Sequence, residues 1–371
     1  MIPIIDLGKE YAEISAEADP LVRRVLLSGN YILGPESTAF EKELAAYAQV
    51  KEAVGVNSGT DAILIALRAL NIQAGDEVIV PAMTFIASAE PVMQLGAIPV
   101  FVDIDPTTYT LDPALLEKKI TTKTKAIIVV HLYGQSADLK PILAIANGRN
   151  IPIIEDTAQA LGAEYAGKKV GSFGVMACLS FFPTKNLGAC GDGGAVLTSS
   201  PELAQHLRSL RNHGAAIKYH HDEVGYNTRL DELQAAILRV KLKRLDTWNE
   251  KRRQLAAVYT QDVKGAQVVC PVEASGRKHI YHLYSIRSSQ RDALRDYLET
   301  QGISTGLHYP APLHLQNAMN HLGYKRGDFP VSEQLAQQVL SLPLYAQLAE
   351  NQVHDITKAI HAFEKRGAAV A

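Results

Sequence analysis

The protein has 371 residues, of which 47% are apolar and 20% charged, and its formal net charge is -2. That balance excludes a disordered chain and a polybasic nucleic-acid surface. The length exceeds one compact core of ordinary size, so two domains or one large α/β domain with an appendage is expected. Even the locally basic stretch RVKLKRLDTWNEKRR, residues 239–253, interleaves acids and reads as a solvated helix face. The amino-terminal stretch MIPIIDLGKEYAEI has no basic region leading into a long apolar run, and nowhere do about 18 apolar residues follow one another. A cytoplasmic protein without membrane contact is expected. Cys178, Cys190 and Cys270 are odd in number and share no CxxC spacing, so buried thiols are expected rather than disulfides or a zinc knuckle.

In chain order, VGVNSGTDAILIALRAL (residues 54–70) reads as a short strand, a turn and an apolar-periodic helix. DEVIVP, IPVFVDI, KAIIVVHLYG and IPIIED follow as β-branched runs of strand length, separated by windows of helical length. Strands apolar on both faces belong in a helix-covered, mainly parallel sheet, whose ligands sit beyond the strands' carboxyl ends. From residue 231 to about 261 the pattern predicts one long helix, then QVVCP, HIYHLYSIR and the helical SQRDALRDYLETQG. This second unit reads as α+β, and the division is placed at residues 1–245 and 246–371. HYPAPLHLQ, residues 308–316, holds two prolines and two histidines and predicts a loop or extended passage.

Three features carry chemistry. Gly59 allows a tight turn, and Thr60 with the first N–H groups of the following helix presents a positive dipole end suited to a phosphate; an ordinary N-cap by Ser58 or Thr60 is the alternative. Asp156 ends an apolar strand, where either a helix cap or a carboxylate facing a cationic ligand atom explains it. Lys185, in LSFFPTKNLGACGDGGAV, is a lone lysine between an apolar run and glycines. A lysine in a dry site must lose or compensate its charge, and the deprotonated amine is a nucleophile for carbonyl carbon. Together these parts match the phosphate, pyridine nitrogen and aldehyde of pyridoxal 5'-phosphate, bound covalently through Lys185. An Asp156 to pyridinium pair at about 4 Å and an effective dielectric of about 20 is worth roughly 4 kcal/mol. Gln159 is placed for the ring oxygen and Ser180 for the phosphate, while Phe85 either packs in a core or stacks on the cofactor. His131 reads as a satisfied strand-end histidine.

NSGTDA, EDTAQALGA, SFFPTKNLGACGDGGA and GYNTRLDELQAAIL, in this order, resemble the DegT/StrS family of nucleotide-sugar aminotransferases, with the aspartate-aminotransferase fold (fold type I of pyridoxal-phosphate enzymes). The resemblance implies a mainly parallel sheet flanked by helices with a smaller α+β carboxy-terminal domain. It implies Lys185 as the covalent attachment point, Asp156 as partner of the pyridine nitrogen, Gln159 at the ring oxygen and Phe85 on the ring. It also implies Gly59, Thr60 and Ser180 as phosphate ligands. Asn227 is implied to reach the phosphate from the neighbouring subunit, making an obligate homodimer with composite sites. Family members with histidine in place of the lysine are dehydratases, so Lys185 favours transamination.

What the resemblance further implies is a reaction in which glutamate leaves as 2-oxoglutarate and a UDP- or dTDP-linked keto sugar receives the amino group. IKYHHDEVGYNTRLDELQ and HYPAPLHLQ are similar to the corresponding stretches of enzymes that aminate C3 rather than C4 of the hexose. Tyr219, His220, His308 and Tyr309 are candidates for gripping the sugar nucleotide; the alternative is surface-loop residues without a role. No metal site is expected, because the adjacent His220 and His221 point apart on any regular element.

Overall fold

The computed structural model describes residues 1–368. Its centre is a seven-stranded sheet in the order Glu52–Val56, Gly194–Thr198, Met176–Ser180, Ile153–Asp156, Thr124–Val130, Glu77–Pro81, Ile98–Val102. The five strands from Ile98–Val102 across to Met176–Ser180 are mutually parallel; Gly194–Thr198 runs antiparallel to both of its neighbours. The four strands expected from β-branched runs are therefore present, and the sheet is mainly parallel.

Apolarity on both strand faces has the anticipated cause. Val78 and Val80 enter the core on one side of the sheet while Ile79 enters the core on the other, and Ile128 and Ile127 divide in the same way. Helix Gly59–Ala69 lies over Met176–Ser180 and Gly194–Thr198 on the first side. Because five strands and Glu52–Val56 share one direction, their carboxyl ends share one edge of the sheet, and the segments leaving that edge converge.

A second layer is built on an antiparallel sheet of Val268–Val269, Tyr284–Ser288 and Val339–Leu342. It packs with helices Leu245–Asp262, Arg291–Thr300 and Glu350–Ala368 around its own apolar core. Ile2 bridges to Ile303, and Ile2 and Ile5 pack against that core. A small ribbon of Glu164–Tyr165, Lys168–Lys169 and Arg277–Lys278 joins the two layers.

Two sequence expectations need correction, the burial of the cysteines and the long helix: only Cys178 is buried, Cys190 being exposed and Cys270 half-buried. The long helix of residues 231–261 is two helices, Glu232–Leu242 and Leu245–Asp262, broken at Lys243 and Arg244. The first packs on helices Leu7–Ser28 and Pro35–Ala48, the second on Glu350–Ala368. The chain bends where it leaves one core for another, and no glycine or proline marks the place. In HIYHLYSIR only Tyr284 onward is strand. Residues 308–316 form an extended passage and a short 3-10 turn, Leu313–Leu315, in keeping with their prolines.

Candidate active site

A cavity of about 410 Å³ opens at the carboxyl ends of the strands. It gathers Gly59 and Thr60 from the first strand-helix turn, Phe85 from the segment after Glu77–Pro81, and Asp156 with Gln159 from the end of Ile153–Asp156. Ser180 and Lys185 enter from the end of Met176–Ser180, and His308 and Tyr309 from the extended passage. Residues distant in sequence meet because parallel strands deliver all their carboxyl ends to one edge.

At one end of the cavity the helix Gly59–Ala69 points its amino terminus inward. Ser58 Oγ accepts from the Asp61 N–H at 3.1 Å, so Ser58 is the N-cap. The Gly59 and Thr60 N–H groups and the Thr60 hydroxyl have no partner among the described residues. They sit where the helix dipole favours an anion. Gly59 has no substitute here, since a Cβ would lie 2.7 Å from Ser180 Cβ. Across the turn, a Cβ on Gly194 would lie 2.3 Å from the Ser58 carbonyl oxygen. Ser180 Oγ accepts from the Phe182 N–H at 3.3 Å, which leaves its O–H proton for a ligand.

Lys185 stands in a compact loop held by its own backbone, with Lys185 N–H donating to the Phe182 carbonyl at 2.8 Å and Lys241 Nζ donating to the Gly188 carbonyl at 2.6 Å. Its ammonium has no hydrogen bond or ion pair with any described residue. Enclosure by protein pushes the Lys185 amine down from 10.5 to about 8, and the Asp156 carboxylate opposes that shift. The buried Asp156 carboxylate has no cation in contact: Oδ2 accepts from Ser88 Oγ at 2.6 Å and Oδ1 from the Ala158 N–H at 3.1 Å. The local turn to Ala158 accounts for one oxygen only. The other is aimed by Ser88, itself 2.9 Å from Thr84 Oγ1.

Gln159 is oriented unambiguously. The Tyr133 N–H donates to Gln159 Oε1 at 2.7 Å, so the amide nitrogen faces the cavity and donates to the Tyr309 hydroxyl at 3.0 Å. The Tyr309 proton is then free for a ligand. The Phe85 ring is 52% exposed, its centroid 5.6 Å from that of Tyr309, which removes core packing as its explanation. His308 is held by Tyr133, whose hydroxyl donates to the His308 carbonyl, and by Ser341 Oγ, 2.9 Å from Nδ1. Burial, reinforced by the Lys185 charge, pushes the His308 imidazole down to about 4, so it is neutral at physiological pH.

Asn227, Tyr219 and His220 do not reach this cavity within one chain. Asn227 is exposed, bridged to Asn212, and Tyr219 and His220 lie in an exposed turn closed by the Ile217–His220 bridge. His131 is the satisfied histidine expected, with Nε2 3.0 Å from Glu155 and Nδ1 accepting the Ala137 N–H at 3.0 Å. Ser88 and His282 are among the cavity residues that the sequence did not single out. Ser88 lay in TFIASAE, where one more small residue carries no signal, and His282 lay in HIYHLYSIR, where a histidine among apolar residues carries none either. Among the described residues no cluster of His, Cys, Asp or Glu is arranged to hold a metal ion.

The donor set suits pyridoxal 5'-phosphate. An unpartnered, partly neutral amine, a buried carboxylate without a cation, and free N–H and O–H donors at a helix amino terminus answer its aldehyde, its pyridine nitrogen and its phosphate.

Comparison with known proteins agrees. A pleiotropic regulatory protein of Geobacillus stearothermophilus is 48% identical over 98% of both chains. The dTDP-3-amino-3,4,6-trideoxy-alpha-D-glucose transaminase of Streptomyces venezuelae is 46% identical over 98% of this chain and 97% of its own. Other relatives are named as aminotransferases of UDP-linked 3-keto sugars. The crystal structure of S. venezuelae DesV in complex with a ketimine intermediate superposes with a TM-score of 0.96 at 47% identity, covering 98% of each chain. Residues 12–361 match one family throughout, and the chain belongs to the DegT/DnrJ/EryC1/StrS aminotransferase family.

Proposed function

We propose that this pyridoxal-phosphate-dependent aminotransferase moves the amino group of glutamate to the C3 keto group of a UDP- or dTDP-linked hexose, serving amino-sugar biosynthesis. The observation that carries the reading is the meeting of the Lys185 amine, the Asp156 carboxylate and the Gly59–Thr60 helix terminus in one cavity.

When bound, the cofactor carries the amino group between substrates and accepts electrons from the substrate carbon through its ring. Lys185 holds its aldehyde. When free, the Lys185 amine, titrating near pH 8, would serve as the base and acid that moves a proton between the cofactor carbon and the carbon being aminated. Asp156, fixed by Ser88 and the Ala158 N–H, keeps the pyridine nitrogen protonated. Gly59, Thr60 and Ser180 hold the phosphate, Phe85 covers one ring face, and Gln159 directs an N–H toward the ring oxygen. His308 and Tyr309 bind the sugar nucleotide, with a neutral imidazole suited to accepting a hydroxyl proton.

Asn227, Tyr219 and His220 act in the site of a second copy. The support is a loop that exposes Ile217 (69%), Tyr219 (80%) and Val224 (83%) beside Asn227, apolar surface of the kind an interface covers. The working division of the chain is 1–245 for cofactor binding and 246–371 for the second domain, a boundary that falls at the start of helix Leu245–Asp262. Among the described residues no helix is long and apolar enough to cross a membrane, and the proposed nucleotide-linked substrates support a cytoplasmic enzyme.

Glutamate added to the yellow protein tests turnover: bleaching of the bound chromophore with release of 2-oxoglutarate is expected. No change would leave the regulatory role named for one relative as the better reading. A mass-spectrometric screen against UDP- and dTDP-linked amino sugars then tests position, and adducts confined to 4-amino sugars overturn C3.

A further inference from the structure

Beside Lys185 lies a buried chain of side-chain amides whose direction can be deduced. The Leu161 carbonyl can only accept, and Asn249 Nδ2 donates to it at 3.2 Å. Asn249 therefore turns its oxygen toward Asn186, whose Nδ2 donates to it at 2.7 Å. Asn186 in turn must present its own oxygen to His282 Nδ1, 3.0 Å away. That oxygen accepts only, so His282 carries its proton on Nδ1 and its Nε2 is bare. Asn186, Asn249 and His282 are all buried. Nε2 has no protein partner among the described residues, and His282 lines the same cavity as Lys185.

We infer that His282 is a positioning residue for Lys185: its bare Nε2 lines the same cavity, makes no hydrogen bond with the Lys185 amine in this structure, and accepts one from it when the aminated cofactor fills the site, holding the lone pair toward the reacting carbon. The inference rests on the reading of Lys185 as the cofactor-bearing lysine. A primary amine rotates about its last bond, and an acceptor at a fixed place selects one orientation. The groups facing His282 are Lys185 from the loop, Arg252 from helix Leu245–Asp262, His308 from the extended passage and His279 from its own segment. No carboxylate is among them, and burial with these charges holds the imidazole neutral, its pKa well below the ordinary value. His282 is thus an acceptor throughout the physiological range. A hydrogen bond to the ammonium form also favours that form, so loss of the acceptor lowers the Lys185 pKa further.

The test compares His282→Gln with His282→Leu in the enzyme loaded with pyridoxamine 5'-phosphate, where Lys185 is free. Glutamine reproduces both edges of the imidazole, its NH₂ donating to Asn186 and its oxygen accepting from Lys185; leucine reproduces neither. Arylation of Lys185 by fluorodinitrobenzene, followed against pH by peptide mass spectrometry, reads the amine pKa independently of turnover. The Gln variant should keep the wild-type midpoint, and the Leu variant should shift it down by about one unit, several-fold faster modification at pH 7. An unchanged midpoint in the Leu variant, or equal shifts in both, overturns the inference. Should His282→Leu fail to fold, ¹⁵N NMR of the wild-type imidazole, assigned with His282→Gln, decides instead: Nδ1–H with bare Nε2 supports it, and an Nε2–H or imidazolium form overturns it. Borohydride reduction of the yellow form separates the two claims, because a label on any peptide other than that of Lys185 sinks the cofactor reading itself.

Discussion

Lys185 illustrates how a functional residue destabilises the fold that holds it. Its amine titrates near 8 in the folded protein against 10.5 when exposed, so between those values the unfolded chain binds more protons. Stability of the cofactor-free protein is therefore lowered below about pH 8 and recovers as pH rises toward 10.5, a difference of about 3 kcal/mol. Lys185→Met should stabilise the cofactor-free protein by up to that amount at pH 7 and by little at pH 10.5, as measured by urea denaturation. The opposite trend would mean that the amine is not desolvated. Borohydride should attach no cofactor to Lys185→Met or Lys185→Ala. At Asp156, replacement by Asn keeps the Ser88 contact and removes the charge. Asp156→Asn should bind the cofactor yet lower kcat by at least a hundredfold, consistent with an ion pair of roughly 4 kcal/mol; single-turnover absorbance kinetics with glutamate measure it. Lys185 and Asp156 were legible in sequence because a charge within an apolar run is anomalous. Ser88 and His282 were not, since small polar residues and strand-flanking histidines are commonplace.

The element that matters most to ligand binding is helix Gly59–Ala69, whose two first residues do different work from the residue before them. Ser58 is a cap, and Ser58→Ala should cost about 1 kcal/mol in thermal or chemical denaturation while phosphate affinity falls little. Gly59→Ala drives a methyl to 2.7 Å from Ser180 Cβ, forcing the helix terminus away from Ser180. It should weaken cofactor binding by tenfold or more, seen by fluorescence titration of the cofactor-free protein. Equal behaviour of the two variants would show that the cradle is not the phosphate site. The sequence motif alone left capping and anion binding as rivals; the structure shows the cap at Ser58 and leaves the N–H groups of Gly59 and Thr60 without a partner among the described residues, which supports an anion there. The opposite case is the helix pair Glu232–Leu242 and Leu245–Asp262, read from sequence as one element. Its break reflects which core each half packs against, a long-range cause that leaves no local residue signature.

On the scale of the whole molecule, the role proposed for Asn227 requires a second copy of the chain. Mixing Lys185→Ala with Asn227→Asp under exchange conditions should restore activity, because heterodimers carry one site with both native residues, about a quarter of all sites in an equal mixture. Activity that stays at zero after exchange, verified by native mass spectrometry, would show that Asn227 does not act in the site of the partner. Local chemistry sufficed for the strands of the parallel sheet, for its helix-covered nature and for the identities of Lys185, Asp156 and the Gly59 turn. Apolar periodicity, turn residues and an out-of-place charge are properties of neighbours in the chain. What required the folded molecule was the company these residues keep. Gln159 is aimed by the Tyr133 backbone, Asp156 by Ser88, and the His282 proton by Asn186, Asn249 and the Leu161 carbonyl. Each of these partnerships spans tens of residues or more, and their separation is set by how the two layers close over the strand ends, which no short-range pattern records.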